Sequence, residues 1–360
     1  MRFETLRVQG LRSIDDASLS LGSKFNVLVG DNGAGKTSVL EAAFLLSHGR
    51  SFRTGARDSM VQRGARSLSV FAQVASGRDV SHRIGLGREH GRWLIRADGE
   101  ELANLGELLR LCAVVCFEPG SHALIAGGAE ERRRFLDWGV FHVEHAFLDL
   151  WRRYQRALRQ RNTLLRHPGA FDATQCAAWE QEMVSSGEAV DTLRAAYVQR
   201  WGETLSAVSQ QLLPELGVAT VSYRRGWPAE ESLGEALLLR RERDRVRGHT
   251  TVGVHRCDWT VTFEQAPQRE HLSRGQAKLC ALSCLLAQAA VFADIRAEWP
   301  IICLDDLASE LDELHQQRVI EAVGRQDAQV LITGTSHPSA LLRSDADVFH
   351  VEQGRIRSLL

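Results

Sequence analysis

The segment GDNGAGKT at residues 30–37 constrains the fold of this chain more than any other part of it. It matches the pattern G-x-x-x-x-G-K-[ST], in which glycines let backbone N–H groups approach phosphate oxygens closely. The apolar run FNVLV precedes the segment, and the helical pattern KTSVLEAAFLLSHG follows its glycines. The sequence therefore predicts a strand, a phosphate-binding loop and a helix of a parallel α/β sheet.

The residues of this loop have different expected roles. The Lys36 ammonium is expected to contact the β- and γ-phosphates of ATP, and the Thr37 hydroxyl is expected to ligate Mg²⁺. A phosphate loop alone leaves kinases, GTPases and many ATPases open. The residues expected to bind the nucleotide are Gly30, Asp31, Asn32, Gly33, Ala34, Gly35, Lys36 and Thr37.

A second element begins at residue 301, where four apolar residues lead into two carboxylates in IICLDDLASELD. The pattern predicts a buried parallel strand that brings Asp305 to the carboxyl edge of the sheet. Asp305 is the expected Mg²⁺ partner of Thr37, and Asp306 is the expected catalytic residue, which orients or deprotonates the attacking water. Paired aspartates at a strand end also begin ordinary turns, so this interpretation depends on the phosphate loop.

The segment LSRGQ at residues 272–276, named here the signature segment, precedes the helical run AKLCALSCLLAQAA. A helix N-terminus offers free backbone N–H groups and a positive dipole to an anion. Because the phosphate loop has its own helix, this second tip is expected to contact the γ-phosphate held by another copy of the chain. That is the ATP-binding-cassette (ABC) arrangement of two heads around two ATP molecules. The residues expected to act on the other copy's nucleotide are Ser273, Gly275 and Gln276.

Composition limits the classes of protein to which the chain can belong. Its 360 residues, 44% hydrophobic and 25% charged, are typical of a soluble globular protein of two or three domains. The net charge of −1 gives no overall attraction to nucleic acid, so such contacts must come from local patches. The seven cysteines form no C-x-x-C pair, no signal peptide is evident, and the apolar stretch 279–292 is short for a membrane span. We expect a cytoplasmic protein with no membrane partner.

The pattern along the chain predicts an α/β head interrupted by a helical insertion. Residues 1–115, which include short alternating strands after the first helix, are expected to form the N-terminal part of the head. Residues 116–254 change to long polar helical patterns and are expected to form an inserted, mainly helical lobe. Residues 255–360, with the signature segment and the aspartates, are expected to complete the head. The expected architecture is a parallel sheet core with an antiparallel β layer beside it.

Taken together, these motifs resemble the RecF family, bacterial recombination and repair ATPases related to SMC-type heads. The resemblance covers nearly the whole chain, and it implies an ABC/SMC-type P-loop ATPase head of the α/β class with the inserted helical lobe. The segments that carry it are GDNGAGKTSVLEA (30–42), RSFRT (50–54), RRRFLDWG (132–139), YQRALRQRNTLLR (154–166), GVHRCD (253–258), LSRGQAK (272–278) and LDDLASELD (304–312).

The resemblance implies a homodimer that forms with ATP and Mg²⁺ bound and then binds DNA. The family acts at single-strand gaps and single-strand/double-strand junctions without sequence specificity. It works with the RecO and RecR mediators to help load the RecA recombinase, in gap repair, replication restart and the SOS response. The resemblance implies a weak, DNA-stimulated ATPase activity that serves as a switch for release rather than as a motor.

The residues that contact DNA are indicated less sharply. The segment WRRYQRALRQRNTLLR (151–166) is rich in arginine and has no acidic residue, and arginine is well suited to phosphate contacts. A solvated helix face is the competing explanation for the same pattern. The run 132–134 and the segment RRERDRVR (240–247) add further arginines. The expected DNA-binding residues are Arg152, Arg153, Arg156 and Arg159.

Two features depart from the usual pattern of the family. GVHRCD has Val254 and Cys257 where the family usually has proline and aspartate, so a charge at position 257 is lost while the structural role is expected to remain. Many ABC ATPases carry a switch histidine after the strand that follows the catalytic carboxylate. In QVLITGTSHP either Thr335 or His337 could take that place.

Two other functions remain open from the sequence. One is the cytosolic ATPase subunit of a transporter, although such subunits usually follow the strand aspartate with Glu-Pro and lack a large helical insertion. The other is a nucleotide-gated protein scaffold that does not hydrolyse ATP, which DNA affinity measured with and without ATP would distinguish. A P-loop kinase has no use for the signature segment.

Overall fold

A computed structural model describes residues 1–53, 60–77, 80–89, 91–167, 171–341 and 345–359. The chain forms two compact units. The first unit contains residues 1–122, 207–215 and 272–360, and the second contains residues 123–206 and 216–271. Thr54 of the RSFRT segment lies outside the described residues.

The described residues form the following regular elements. The strands are β1 (Arg2–Leu11), β2 (Ile14–Ser20), β3 (Phe25–Val29), β4 (Ser67–Ser76), β5 (Val80–Glu89), β6 (Arg92–Ala97), β7 (Glu100–Glu101), β8 (Val114–Phe117), β9 (Ala219–Arg224), β10 (Asp258–Phe263), β11 (Ile301–Leu304), β12 (Val330–Gly334), β13 (Ala346–Glu352) and β14 (Arg355–Ser358). The helices are α1 (Lys36–His48), α2 (Leu105–Leu109), α3 (Ala123–Ala126), α4 (Ala129–Val143), α5 (Phe147–Arg166), α6 (Ala173–Leu212), α7 (Leu233–Arg247), α8 (Arg274–Arg296), α9 (Leu307–Glu310) and α10 (Glu313–Gly324).

The first unit is built on a mainly parallel sheet with the strand order β14-β13-β3-β12-β11-β8. Five neighbouring strands, from β13 to β8, run parallel, and β14 pairs antiparallel at the edge. All residues of β8, β11 and β12 are buried, as expected for strands covered on both faces. This order places the carboxyl ends of β3, β12 and β11 side by side, so the segments that follow these strands meet at one edge.

A second sheet of the first unit is antiparallel, with the order β2-β1-β4-β5-β6-β7. Its strands β4, β5 and β6 confirm the alternating strands predicted after the first helix. The turn from β6 to β7 contains Asp98 and Gly99, whose φ angles of 51° and 93° are both positive, as in tight hairpin turns. Apolar side chains of both sheets and of α1 share one buried core. The predicted parallel core with an antiparallel layer is therefore confirmed.

Helix α8, which follows the signature segment, also belongs to the first unit. By length and composition it is apolar enough to cross a membrane, but 67% of its most apolar window is buried within the fold. Cys280 and Cys284 lie on it as fully buried side chains. These features are typical of the core helix of a soluble protein.

The second unit is mainly helical but extends further along the chain than the sequence indicated. Residues 255–271, expected in the head, belong to it because β10 pairs antiparallel with β9 over six residue pairs. Residues 116–122 and 207–215, expected in the inserted lobe, belong instead to the first unit. Residues 116–122 belong to the first unit because β8 continues to Phe117 as the edge strand of the parallel sheet.

The GVHRCD segment lies in the core of the second unit. Val254 and Cys257, the two departures from the family pattern, are both fully buried. The guanidinium of Arg194 donates to the Val254 carbonyl at 2.7 Å and lies 3.2 Å from the Cys257 sulfur. Its charge is balanced by Asp137, whose Oδ1 accepts from Arg194 Nη2 at 2.6 Å. Position 257 therefore needs no carboxylate for this buried cation to be paired.

His255 of the same segment is held in its neutral form. The Thr250 carbonyl, 3.2 Å from Nε2, can only accept, so Nε2 carries the proton and Nδ1 accepts from the Tyr154 hydroxyl at 2.7 Å. Burial, aided by nearby arginines, lowers the pKa of His255 to about 4.

The pKa of His255 predicts acid sensitivity. Because the folded pKa of about 4 lies below the unfolded value, the unfolded chain binds the extra proton first, and stability falls as the pH drops from 6.5 towards 4. We expect a loss of about 2 kcal/mol between pH 7 and pH 4.5 from this residue alone. His255→Gln keeps a donor and an acceptor but does not titrate, so its urea midpoint should change less over this range. Equal pH dependence in both proteins would contradict the assignment.

Candidate nucleotide-binding site

The phosphate loop joins β3 to α1 and contains two glycines that the geometry requires. At Gly30 an added Cβ would lie 2.1 Å from the Val351 carbonyl oxygen, so the loop approaches β13 more closely than a side chain allows. Gly35 precedes α1 with a φ of 116°, which L side chains rarely adopt. Helix α1 begins directly at Lys36, so its N-terminal N–H groups face the loop.

A cavity of about 280 Å³ lies beside this loop in the first unit. Its lining combines the loop and the start of α1 with residues from four other places in the chain: Arg12, Ser13, Asn32, Gly33, Ala34, Gly35, Lys36, Thr37, Ser38, Arg53, Asp306 and Thr333. Lys36 is buried, and its Nζ donates to the Gly30 and Asp31 carbonyls at 2.6 and 2.9 Å. The ammonium is thus held next to the backbone N–H groups that a phosphate chain would use.

The edge of the parallel sheet brings the predicted metal-binding pair together. The Thr37 hydroxyl donates to Asp305 Oδ1 at 2.9 Å across 268 positions of sequence. Asp305 is 2% exposed, and this burial raises its pKa, while the hydrogen bonds from Thr333 and Thr37 oppose the shift. A hydroxyl and a carboxylate oxygen at this distance suit Mg²⁺, which takes few protein ligands and keeps phosphate and water oxygens. Elsewhere, the described residues hold no group of three or more His, Cys, Asp and Glu side chains that could bind a metal.

Thr333, at the end of β12, is a site residue that sequence reasoning missed. Its hydroxyl lies 2.7 Å from Asp305 Oδ1 and 2.8 Å from the backbone nitrogen of Asp306. The two candidates named from sequence lie further on: Thr335 is exposed, and His337 Nδ1 is 3.1 Å from the Pro338 carbonyl. The available signal was that Thr333 is the one hydroxyl side chain in the buried run VLITG.

A buried carboxylate on α1 holds two arginines at the cavity. Glu41 is fully buried, and Arg12 donates to it through Nη2 at 2.8 Å and Nε at 3.1 Å. Arg53 Nε lies 3.8 Å from Glu41 Oε2. Both guanidinium groups line the cavity and add positive charge beside Lys36. Glu41 follows Thr37 by four positions, so a carboxylate on an otherwise apolar helix face was the signal for this cluster.

The signature segment forms the start of α8, as predicted. Ser273 is the N-cap: its hydroxyl accepts from the Gln276 N–H, and the Gln276 side chain accepts from the Ser273 N–H. Ser273, Arg274 and Gly275 are exposed. Among the described residues that line the cavity, none comes from 272–276. Lys278, one turn further on, forms a 2.7 Å ion pair with Glu310. Glu310 lies on α9, the short helix that follows the two aspartates.

The predicted DNA-binding arginines lie on the exposed face of α5. Arg152 lies 3.8 Å from Asp149, and Arg153 forms an ion pair with Glu182 at 2.7 Å. For Arg156 and Arg159, the part of the chain that the structure describes shows no ion pair, and both are exposed.

Several other arginines of the basic segments have structural partners instead. Arg161 is fully buried between Glu180 and Asp244, at 3.0 and 2.8 Å. Arg132 is buried against Asp258 at 2.7 Å. Arginine density along the sequence therefore overstated the charge available to a ligand, because the helical pattern does not show which of these side chains face the interior.

The left-handed backbone at Asp306 gives a testable consequence. Its φ is 48°, a conformation in which a Cβ costs roughly 1 kcal/mol. We expect Asp306→Gly to be more stable than Asp306→Ala by about 1 kcal/mol in urea titrations. At Ala308, within α9, the order should be reversed, since glycine is the poorer helix former. Ala308→Gly is therefore the matched control, and a destabilising glycine at both positions would contradict the backbone assignment.

Comparison with solved structures shows the fold of the whole chain. The structure titled "Structure of the recombination mediator protein RecF-ATP in RecFOR pathway" matches with a TM-score of 0.89 and 24% identity, covering 99% of this chain and 97% of that one. The structure titled "Structure of the recombination mediator protein RecF-ATPrS in RecFOR pathway" matches with a TM-score of 0.87 and 24% identity, covering 100% of this chain and 98% of that one. An SMC head bound to the C-winged helix domain of ScpA matches with a TM-score of 0.62 and 15% identity, covering 100% and 98%. The expected ABC/SMC-type head is confirmed.

Comparison of sequences shows the family. The model described as RecF/RecN/SMC N terminal domain matches residues 2–356. The protein named DNA replication and repair protein RecF from Xanthomonas euvesicatoria pv. vesicatoria (strain 85-10) is 50% identical over 366 aligned residues, covering 99% of this chain and 98% of the relative. Those of Stenotrophomonas maltophilia (strain R551-3) and Pseudomonas entomophila (strain L48) are 48% and 37% identical, and each alignment covers 99% of this chain and 99% or 98% of the relative. The chain therefore belongs to the RecF family of DNA replication and repair proteins.

Proposed function

We propose that this chain is an ATP-gated DNA-binding protein of recombinational gap repair. Two copies associate around two shared ATP molecules and bind DNA at single-strand gaps and junctions, in the cytoplasm. Similarity to a structure titled as a recombination mediator of the RecFOR pathway supports RecO- and RecR-type partners, with RecA loading as the outcome. Neither the transporter subunit nor the protein scaffold is favoured by these relatives.

The observation that carries the proposal is the separation of two halves of a nucleotide site within the first unit. The cavity offers the phosphate loop, Lys36 and Asp306. The capping box uses the N–H groups of Ser273 and Gln276, so the exposed tip of α8 offers those of Arg274 and Gly275, but no residue of 272–276 is among the described cavity lining. A helix tip that faces solvent with such N–H groups is suited to phosphate oxygens supplied from outside. A second copy supplies them most simply.

The cavity residues divide the work of binding and hydrolysis. The loop N–H groups, Lys36, Arg12 and Arg53 bind the phosphates of ATP, while Thr37 and Asp305 hold Mg²⁺, which neutralises phosphate charge. Asp306 lines the same cavity and orients or deprotonates the attacking water. An aspartate is one methylene shorter than the glutamate that transporters carry at this position. The greater distance that this leaves between the carboxylate and the water is consistent with slow, switch-like hydrolysis.

DNA binding rests on the exposed arginines of α5. Arg156 and Arg159 are one turn apart and exposed, so both are available to phosphate oxygens. Arginine contacts to phosphate carry no sequence information, which fits recognition of gap and junction shape. Dimerisation doubles this surface and couples DNA affinity to ATP.

A complementation experiment tests the shared site. Lys36→Met disables the phosphate loop, and Ser273→Arg blocks the helix tip, so each variant alone should lose ATP-dependent dimerisation and hydrolysis. A mixed dimer contains one intact composite site, and we expect an equimolar mixture to recover up to about a quarter of the wild-type rate.

Mixing Lys36→Met with Lys36→Ala is the control, since it leaves every loop disabled and should recover nothing. Wild-type activity of Ser273→Arg alone, or a strictly monomeric wild type with ATP and Mg²⁺ in analytical ultracentrifugation, would reject the proposal.

A salt titration tests the DNA surface. If Arg156 and Arg159 contact phosphates, Arg156→Glu/Arg159→Glu should weaken binding to gapped duplex more than tenfold. The negative slope of log K against log salt should become shallower by about 2. The control is Arg92→Glu/Arg96→Glu on β6, an equal charge change on exposed arginines outside the basic segments. Equal weakening by both pairs would show a bulk charge effect rather than a contact on α5.

A further inference from the structure

Thr333 is the residue before the last in the strand β12, which lies between the strand before the phosphate loop and the strand before the two aspartates. It is 1% exposed, yet it reaches the cavity lining. Its hydroxyl lies within hydrogen-bond distance of two groups, the carboxylate of Asp305 and the backbone nitrogen of Asp306. The side chain is therefore in contact with both residues of the carboxylate pair.

The directions of these bonds follow from the chemistry of the partners. The Asp306 N–H can only donate, so at 2.8 Å it uses a lone pair of the Thr333 oxygen. The single hydroxyl proton is then free for Asp305 Oδ1, 2.7 Å away. Oδ1 also receives the Thr37 hydroxyl at 2.9 Å, so two hydroxyl groups converge on one carboxylate oxygen.

The two hydroxyl groups differ in what else they serve. Thr37 belongs to the phosphate loop and is the expected Mg²⁺ ligand. Thr333 belongs to a fully buried strand of the sheet, and both of its bonds go to the aspartate pair. Unlike Thr37, it is therefore not an expected ligand of the metal.

The bond to the Asp306 N–H fixes an unusual backbone. Asp306 has a left-handed φ of 48°, and its N–H is directed at Thr333 on the neighbouring strand instead of entering helix α9. The same peptide joins Asp305 to Asp306, so one hydroxyl restrains a carboxylate on one side of this peptide and the backbone on the other. Rotation of that peptide would move the Asp306 carboxylate within the cavity.

We propose that Thr333 is a positioning residue that sets the direction of the Asp306 carboxylate by clamping the Asp305–Asp306 peptide. The proposal rests on the function proposed above and adds a residue to it. Thr333 acts on hydrolysis through Asp306 and not through contact with nucleotide. Its removal leaves the phosphate loop, the two arginines and the signature segment unchanged.

The test compares Thr333→Val, which keeps the shape but removes the hydroxyl, with Thr333→Ser, which keeps the hydroxyl. Three quantities are measured: affinity for a fluorescent ATP analogue, ATP-dependent dimerisation, and the hydrolysis rate at saturating ATP. We expect Thr333→Val to bind ATP and dimerise within a few-fold of wild type, to hydrolyse about tenfold to a hundredfold more slowly, and to leave the dimer longer-lived. Thr333→Ser should restore most of the rate.

A thermodynamic cycle separates positioning from loss of structure. In an Asp306→Asn background, Thr333→Val should slow hydrolysis no further, because the residue through which it acts is already disabled. The matched control is Ser47→Ala, which removes another buried hydroxyl that accepts a backbone N–H in the first unit, from Val114 at 2.9 Å. That variant should melt lower but hydrolyse at the wild-type rate per bound ATP.

The outcomes are distinct. A wild-type hydrolysis rate for Thr333→Val would overturn the proposal. So would a rate for Thr333→Ser as low as that of Thr333→Val, or a loss of ATP affinity in Thr333→Val as large as its loss of hydrolysis rate. If Thr333→Val does not fold, Thr333→Ala replaces it, and failure of both while Thr333→Ser folds shows a folding role and also overturns it. Failure of the wild type to bind ATP or dimerise would instead reject the proposed function.

Discussion

The hydrogen bond from Thr37 to Asp305 joins the N-terminal and C-terminal parts of the first unit at the expected site of hydrolysis. It depends on strand order: β3 and β11 are both neighbours of β12, so the residues that follow them project at the same edge of the sheet. Every other feature of the cavity is placed relative to this edge. The phosphate loop precedes α1, and Glu41, one turn into that helix, holds Arg12 and Arg53. Thr333 lies on β12, between β3 and β11, and lines the cavity.

The sequence predicted those parts of the site whose chemistry is local. Glycine spacing around Lys36, and an apolar run before Asp305, are visible within a dozen residues because backbone geometry demands them. Thr333 and Arg12 were missed because each acts through a partner on a different element, and single positions in a strand carry no signal of their neighbours. The same limit applies to the second unit, where the pairing of β9 with β10 connects segments separated by a helix and moved the expected boundary.

Arginine has two opposite uses in this chain, which takes nearly all its positive charge from this residue. Buried guanidinium groups such as Arg161 and Arg194 hold helices of the second unit together through paired carboxylates. A planar group with five donors can satisfy several acceptors at once, which a lysine cannot. The exposed arginines of α5 share the same helical periodicity, so only burial separates the two uses. This is why the arginine-rich segments indicated a basic surface larger than the one that the structure presents.

The discontinuity of the first unit in sequence affects how the protein is made. Strand β3 is synthesised before the helices of the second unit, and both of its neighbours in the sheet, β12 and β13, are synthesised after them. Until β12 and β13 are made, β3 has two unpaired edges, and its apolar side chains lack their cover. The helices of the second unit are complete long before that moment and can pack while the sheet waits. A truncated chain that stops before residue 330 therefore carries an intact phosphate-loop sequence without the strands that give it a shape.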